Sequence, residues 1–313
     1  MEKNFDKELP IFFAIDDNYL PYFLVTVNSI KKHADKNVLY SIFILSEGLS
    51  DNGMEKINSL KEENFNFTVV NLSKKIAPVK ELMQNSLRDY YSVAIFYRLF
   101  IAEIFKKYDK AIYIDSDIVL LDDIEKLFDH DLGEYLVGAV TDQVVAYNDV
   151  FRDYSLNALG VEPNDYFNSG VLVMNLKEFR NQKIEEKFLD LLAKYNFETV
   201  APDQDYLNVL CSGKVKYLSA GWNRMPTVNA DCDKVFLVHY NMFDKPWKYK
   251  GVMFEEYFWE HAKDTEYYRS LLTMRENYGD DAKLKDQEGG KRLAENALRI
   301  IYTENNFKRV LAR

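Results

Sequence analysis

The fold is indicated most clearly by residues 10–30, PIFFAIDDNYLPYFLVTVNSI, where an apolar strand pattern leads directly into a helical one. Residues 11–15 predict a buried strand, and apolar residues recur at helical spacing over residues 20–34. The same alternation continues with predicted strands at 39–45, 66–72 and 111–114 and predicted helices at 51–63 and 92–107. Apolar strands separated by helices are typical of a mostly parallel sheet covered on both faces, which is an α/β fold.

The second half of the chain is less regular. It predicts strands at 137–142 and 169–176, helices at 177–195 and 203–211, and a mostly helical segment beyond residue 250. Residues 143–165 are expected to form a loop, and the Gly-Gly pair at 289–290 to break the C-terminal segment. We therefore expect one α/β domain in residues 1–250 and a helical C-terminal extension in residues 251–313.

Composition excludes several classes of protein. The 313 residues are 47% hydrophobic and 29% charged, which is ordinary for a globular chain and excludes collagen and disordered proteins. A net charge of −10 argues against general nucleic-acid binding, and two cysteines suit a reducing compartment. No stretch approaches the ~18 apolar residues of a membrane helix. These features predict a cytoplasmic protein that touches a membrane only peripherally.

A pair of acidic residues interrupts the apolar segment 111–124, AIYIDSDIVLLDDI. Asp115 and Asp117 are two residues apart, so they project to the same side of an extended chain, just past the end of a predicted strand. Carboxylates beside so much apolar sequence are costly unless paired, and a hard divalent cation would satisfy both. The alternative is a turn with two solvated acids.

Two further segments place polar residues at strand ends. Asp16, Asn18 and Tyr19 follow the first strand, without a G-x-G-x-x-G or Walker A motif. They could bind a base and ribose, or simply begin the next helix. His239 follows the apolar run that begins at residue 234, with Lys245 close behind. A neutral imidazole could join the two carboxylates on one metal and Lys245 could hold a phosphate, although a lone histidine is more often structural.

Together, five ordered blocks resemble glycosyltransferase family 8, the retaining group that includes bacterial lipopolysaccharide galactosyltransferases and glycogenin. The blocks are FAIDDNY (13–19), FYRL (96–99), YIDSDIV (113–119), YFNSGVLVMNL (166–176) with PDQDYLN (202–208), and the segment from VHY to KPW (238–247). The resemblance implies a single GT-A-like domain with a Rossmann-like sheet. It also implies transfer of galactose or glucose from a UDP-sugar donor to the hydroxyl of a saccharide acceptor, such as a lipopolysaccharide.

The resemblance also implies a role for individual residues. The metal ligands match Asp115, Asp117 and His239, and the imidazole favours Mn²⁺ over Mg²⁺. The residues that match nucleotide and diphosphate contacts are Ala14, Asp16, Asn18, Tyr19, Arg98, Ser116 and Lys245. Those that match the surroundings of the donor sugar and acceptor are Asp142, Asn168, Asp203 and Gln204. One position departs from the pattern, because Met242 stands where the family usually has a glycine.

The resemblance leaves the chemistry partly open. Gln204 is a neutral amide and a poor nucleophile, so the interpretation favours front-face attack, with the departing phosphate taking the acceptor's proton. One alternative is a UDP-sugar-binding module without turnover. Another is a metal-dependent phosphohydrolase, which would release UMP instead of UDP. The sequence predicts no nucleic-acid partner, and it predicts no oligomeric state.

The C-terminal segment has its own charge. Residues 282–313 contain eight Lys or Arg and four Asp or Glu, a local net charge of +4. One interpretation is a solvated helix packed on the body of the protein. The other is an amphipathic basic segment that binds an anionic membrane surface.

Overall fold

A seven-stranded sheet forms the centre of the computed structural model, which describes residues 4–83, 92–227 and 232–311. The strands are β1 (Lys7–Ala14), β2 (Val38–Ser46), β3 (Phe65–Asn71), β4 (Lys110–Ile114), β5 (Ile118–Leu120), β6 (Val137–Thr141), β7 (Phe167–Asn175), β8 (Val215–Tyr217) and β9 (Leu237–His239). The order in the sheet is β3-β2-β1-β4-β7-β6-β8, and β5 pairs with β9 in a separate antiparallel ribbon. Only β7 runs against its two neighbours among these seven strands, so the predicted mostly parallel α/β sheet is confirmed.

Helices surround the sheet. The α-helices are α1 (Leu20–His33), α2 (Asp51–Ser59), α3 (Ser73–Met83), α4 (Ile101–Ile104), α5 (Glu125–Phe128), α6 (Gln143–Tyr147), α7 (Asp149–Tyr154), α8 (Leu176–Asn181), α9 (Ile184–Tyr195), α10 (Pro202–Leu210), α11 (Glu255–Ala262), α12 (Tyr268–Glu276), α13 (Asp280–Ile301) and α14 (Phe307–Val310). Short 3₁₀ helices cover Val93–Phe100, Pro163–Asp165 and Ala220–Asn223, and one π-helical turn covers Ser155–Leu159.

The sheet is buried on both faces. Along β1, Phe12 packs into one core cluster, whereas Ile11 and Phe13 pack into the other, as the two-residue period of a strand requires. All three side chains are fully buried. This double burial explains why the strand reads as a continuous apolar run and not as an alternating one.

Three predicted elements differ from the observed ones. Residues 92–107 form the 3₁₀ helix Val93–Phe100 and the short α4 instead of one α-helix. Residues 177–195 divide into α8 and α9, because Lys183 has a positive φ of 53°. Residues 143–165 form α6, α7 and two short helical turns instead of the expected loop.

The C-terminal extension continues the core of the body. The Gly-Gly pair at 289–290 lies inside the unbroken helix α13, so the expected break there is wrong. Ala297 and Ile300 of α13 are fully buried in the main core, and the ring of Phe307 packs 4.0 Å from that of Phe197. Such burial outweighs the ~1 kcal/mol by which each helical glycine is disfavoured. In the part of the chain that the structure describes, no helix is long and apolar enough to cross a membrane.

Candidate active site

A cavity of about 520 Å³ lies at the edge of the sheet where β1 and β4 end. Strand β7 runs antiparallel to β4, so it begins at this same edge and brings residues 168–170 there. Most of the predicted site residues line this cavity: Asn18, Tyr19, Arg98, Asp115, Asp117, Asp142, Asn168, Asp203, Gln204, His239 and Lys245. The structure thus brings together side chains that lie more than 200 positions apart in the sequence.

Ala14, Asp16 and Ser116 lie beside the cavity without lining it. Asp16 accepts hydrogen bonds from the backbone N–H groups of Asn18, at 2.9 Å, and Tyr19, at 3.1 Å. Ser116 is buried, and its carbonyl accepts the hydroxyl of Thr26 at 2.9 Å. The hydrogen bonds of Asp16 and Ser116 thus hold the turns that carry the lining side chains.

Asp115, Asp117 and His239 form a cluster that fits a divalent metal ion. One ligand atom from each lies within 4.8 Å of the others. Asp117 Oδ1 is buried without a hydrogen-bond partner among the described residues, and it lies 3.2 Å from His239 Nε2. An unpaired buried carboxylate oxygen is costly, and a cation would satisfy it. Two carboxylates with one imidazole suit Mn²⁺ or Mg²⁺ as ligands.

Gly170 keeps the space beside this cluster open. A Cβ atom at residue 170 would lie 2.6 Å from Asp115 Oδ2 and closer still to His239 Cε1. Only glycine therefore fits between the two proposed ligands. Gly170 lies inside one of the five blocks that carry the family resemblance, and an isolated glycine inside a strand pattern often marks such a close approach.

Lys245 is buried against the same cluster. Its ammonium group donates to Asp117 Oδ2 and to the carbonyl of Tyr240. Burial acts to raise the pKa of Asp117, but the neighbouring positive charge, chiefly that of Lys245, outweighs it and holds that pKa below its ordinary value. Asp117 is therefore ionised at neutral pH, as a metal ligand must be.

Arg98 connects the cluster to the far side of the cavity. Its guanidinium group lies 3.1 Å from Asp115 Oδ1 and 3.2 Å from Asp203 Oδ2, and is almost completely buried. Burial raises the pKa of Asp203, while the positive charge of Arg98 opposes that rise. Arg98 thus compensates two carboxylates and supplies positive potential between them.

Asp142, Asn168 and Gln204 form a buried hydrogen-bonded group beyond Arg98. Asn168 Nδ2 and Gln204 Nε2 both donate to Asp142 Oδ2, at 2.9 and 3.1 Å. Asp142 Oδ1 accepts the backbone N–H groups of residues 144 and 145, and so caps the N-terminus of α6. The three side chains hold one another in place, so a bound sugar would meet polar groups that are already oriented.

Asp205, which no sequence pattern indicates as a functional residue, is the centre of a second buried group of hydrogen bonds. Its carboxylate accepts the hydroxyls of Tyr154 and Tyr166 at 2.8 and 2.6 Å, and the backbone N–H groups of Val200 and Ala201, both at 3.0 Å. Burial raises its pKa to about 6. These contacts fix the first turn of α10, which carries Asp203 and Gln204.

Apolar side chains from the second half of the chain also line the cavity. Val145 and Phe151, from α6 and α7, line it together with Leu293 of α13. Asp286, also from α13, lines the cavity and accepts hydrogen bonds from Tyr249 at 2.9 Å and Tyr278 at 2.7 Å. The C-terminal extension therefore contributes directly to this cavity, a contact that the sequence patterns alone did not predict.

Comparison with known sequences agrees with this geometry. A family model described as glycosyl transferase family 8 matches residues 10–251. A putative glycosyltransferase of Haemophilus influenzae is 31% identical over 220 residues, which cover 69% of this chain and 63% of that protein. The lipopolysaccharide 1,2-glucosyltransferase of Escherichia coli K12 is 26% identical over 76% of this chain and 72% of its own length.

Solved structures show the same architecture. The galactosyltransferase LgtC, crystallised with donor and acceptor sugar analogs, has a TM-score of 0.69 at 27% identity and covers 84% of this chain and all of its own. The bifunctional glycosyltransferase WbbM has a TM-score of 0.74 at 25% identity, with 88% of this chain but only 53% of its own covered. The sheet is therefore that of a GT-A glycosyltransferase. With the family model matching from the first strand to just beyond Lys245, this chain is a glycosyltransferase that belongs to family 8.

Proposed function

We propose that this enzyme transfers galactose or glucose from a UDP-sugar to a saccharide hydroxyl, with a divalent metal ion and with retention of the anomeric configuration. The observation that carries the proposal is the cluster of Asp115, Asp117 and His239, with a buried oxygen that lacks a partner among the described residues, beside the cation of Lys245. That arrangement suits a nucleoside diphosphate whose oxygens would complete the metal coordination.

Each end of the cavity has a separate part in the proposed reaction. A metal ion held by the cluster would neutralise negative charge that develops on the departing diphosphate. Lys245 and Arg98 add positive potential near the same point. At the other end, Asp142 and Gln204 would orient the donor sugar and the attacking hydroxyl. Asp203 is paired with Arg98, which favours front-face attack, with the proton passing from the acceptor hydroxyl to the departing phosphate oxygen.

Asn18 and Tyr19 are the proposed uridine contacts. They follow β1 at the carboxyl edge of the sheet, where α/β proteins bind nucleotides. Tyr19 is 44% exposed and lines the cavity, although its neighbours Leu20 and Phe23 are buried. An exposed aromatic face at the mouth of the cavity suits stacking on a pyrimidine base.

We further propose that residues 1–250 carry the donor chemistry and that residues 251–313 serve acceptor binding and peripheral membrane contact. Leu293 supports the first role, because it reaches the cavity from α13. Membrane contact is supported by one outer face of that helix, where exposed side chains recur at seven-residue spacing. They are Leu284, Lys291 and Leu298. Arg313, the last basic residue of this extension, lies outside the described residues.

Sedimentation with vesicles tests the membrane contact. Wild-type protein should pellet with anionic vesicles at low salt, and less at high salt, because the attraction is screened. Replacing Lys285 and Lys291 by Glu should abolish pelleting while the free energy of unfolding changes little, since both side chains are exposed. If the double variant pellets like the wild type, the membrane contact is wrong.

Release of UDP tests the main proposal. Purified protein with Mn²⁺ is given UDP-galactose or UDP-glucose, with and without simple saccharide acceptors, and nucleotide products are separated. We expect UDP release that increases when an acceptor is added and that is lost in Asp117→Asn. Release of UMP would indicate a phosphohydrolase instead. Tight UDP-sugar binding without any product, across all acceptors tried, would favour a binding module.

A further inference from the structure

Asn223 is a buried amide that connects the proposed metal ligand His239 to the sugar end of the cavity. Its side chain is fully buried at the end of the 3₁₀ helix Ala220–Asn223. Asn223 Oδ1 lies 3.0 Å from His239 Nδ1, and Asn223 Nδ2 donates to Asn168 Oδ1 at 2.9 Å. None of the five blocks that carry the family resemblance includes this residue.

The backbone N–H of Gly170 fixes which atom donates in each hydrogen bond of the series from Asn168 to His239. The N–H of Gly170 can only donate, and it donates to Asn168 Oδ1 at 3.0 Å. The amide nitrogen of Asn168 must then face Asp142, whose carboxylate accepts it at 2.9 Å. Since Asn168 presents its oxygen to Asn223, Asn223 must present its nitrogen there, and its own oxygen faces His239.

A single tautomer of His239 satisfies this arrangement. Nδ1 must carry the proton and donate it to Asn223, so in the neutral ring Nε2 keeps its lone pair. Nε2 is the nitrogen that lies 3.2 Å from the unpartnered Asp117 Oδ1, where the proposed metal would bind. Ligating histidines generally depend on such a partner for the other ring nitrogen, and its loss typically weakens metal affinity ~10–100-fold.

We propose that Asn223 is a positioning residue that fixes His239 in the tautomer able to bind the metal. The metal part of this inference rests on the proposed function, whereas the tautomer does not. Because Asn168 also contacts Asp142 and Gln204, the metal end and the sugar end of the cavity share one hydrogen-bonded network with a fixed polarity. Substitution of Asn168 or Asn223 should therefore disturb both the proposed metal ligands and the residues proposed to bind the sugar.

The wild-type protein alone provides the first test. The chain has four histidines, so long-range ¹H–¹⁵N correlation spectra of metal-free protein near pH 8 can resolve each ring. His239→Gln identifies the His239 signals. We expect a protonated Nδ1 and an unprotonated Nε2 for His239. A proton on Nε2 would overturn the inference, whether or not the protein binds a metal.

Substitution of Asn223 provides the second test, with Mn²⁺ binding in the presence of UDP followed by electron paramagnetic resonance. Asn223→Leu removes the acceptor, so we expect a mixture of tautomers and a ~10–100-fold weaker affinity. Asn223→Asp keeps the acceptor and should keep the tautomer. Asn306→Leu, which removes an equally buried asparagine from the cap of α14, is the matched control and should bind Mn²⁺ normally.

The outcomes separate the two proposals. Normal Mn²⁺ affinity and an unchanged tautomer in Asn223→Leu would show that Asn223 is only structural. Equal weakening in Asn306→Leu would assign the effect to general destabilisation, and would also overturn the inference. Wild-type protein that binds no Mn²⁺ with UDP would instead refute the proposed metal site, and the tautomer spectrum would still decide the role of Asn223.

Discussion

Lys245 donates a hydrogen bond to Asp117, so the side chain expected to hold a diphosphate contacts an expected metal ligand. Both groups are buried, and the ammonium charge offsets the free-energy cost of burying the Asp117 carboxylate. A metal ion arriving alone must compete with this ammonium for Asp117. Arrival of a diphosphate offers Lys245 a second anion and frees the carboxylate. Metal and nucleotide should therefore bind cooperatively.

Lys245→Gln should change the affinity for Mn²⁺ alone and the affinity for UDP with Mn²⁺ in opposite directions. Mn²⁺ alone should bind more tightly than to the wild type, because the competing charge is gone. UDP with Mn²⁺ should bind ~10–100-fold more weakly, since a charge-assisted hydrogen bond contributes ~1.5–3 kcal/mol. Calorimetric titration of Mn²⁺ with and without UDP measures both values. Lys248→Gln, which removes a cation 3.3 Å from Asp286 at the cavity edge, is the control. Weaker binding of Mn²⁺ alone to Lys245→Gln would contradict the competition.

Gly170→Ala should abolish metal binding while the protein still folds. The added methyl group would overlap His239 Cε1 and lie 2.6 Å from Asp115 Oδ2, so the two proposed ligands must separate. Gly53→Ala is the matched control, because its methyl group would overlap only Asp17 Oδ1, an exposed side chain that can move. Thermal shifts with Mn²⁺ and UDP should be absent for the first variant and normal for the second. A normal shift for Gly170→Ala would place the metal elsewhere.

Burial raises the pKa of Asp205 from an ordinary value near 4 to about 6. Between these two values the folded protein retains a proton that the unfolded chain has lost. The contribution of Asp205 to the free energy of unfolding is therefore fully present below pH 4 and is lost as the pH rises through 6. A shift of two units corresponds to ~3 kcal/mol at neutral pH.

Asp205→Asn should remove this pH dependence. The amide oxygen can accept from Tyr154, Val200 and Ala201, while the amide nitrogen donates to the hydroxyl of Tyr166, which can turn. The free energy of unfolding of the variant relative to the wild type should thus increase by ~2 kcal/mol between pH 4.5 and 8. Urea unfolding at several pH values measures the difference. A constant difference across this range would show that Asp205 titrates normally.

The strand ends were predictable from the sequence because they depend on local patterns. The runs at 11–15 and 111–114 are apolar and short, and polar residues follow each one. Parallel strands share an edge, so Asn18 and Asp115 could be placed together from these patterns alone. His239 and Lys245 follow a later apolar run in the same way, and the family resemblance added Arg98 and Gln204, which lie outside these strand ends.

Roles that depend on distant contacts were not predictable. Asn223 and Asp205 act through hydrogen bonds to residues from other elements, and neither stands in a pattern that indicates chemistry. The helix across Gly289 and Gly290 has the same cause, since burial of Leu293 and Ala297 outweighs weak local propensity. Arg98 lines the cavity, but it lies in a 3₁₀ helix where the sequence period predicts an α-helix.

Met242 occupies a backbone conformation that favours glycine. Its φ is 56°, in the left-handed region, and its side chain is 45% exposed at the edge of the cavity. The family resemblance implies a glycine at this position, and glycine adopts this conformation without the penalty that a side chain brings. The left-handed region costs a residue with a Cβ atom ~1–2 kcal/mol.

Comparison of Met242→Gly with Met242→Ala tests whether this strain is present in solution. Alanine keeps the Cβ atom and its penalty, so the variant should be about as stable as the wild type. Glycine loses the penalty and should exceed alanine by ~1 kcal/mol in the free energy of unfolding. At an ordinary backbone position the order is the opposite, with glycine ~0.5–1 kcal/mol less stable. The sign of the difference, measured by urea unfolding without ligands, is therefore decisive. Glycine less stable than alanine would mean that residue 242 leaves the left-handed region in solution.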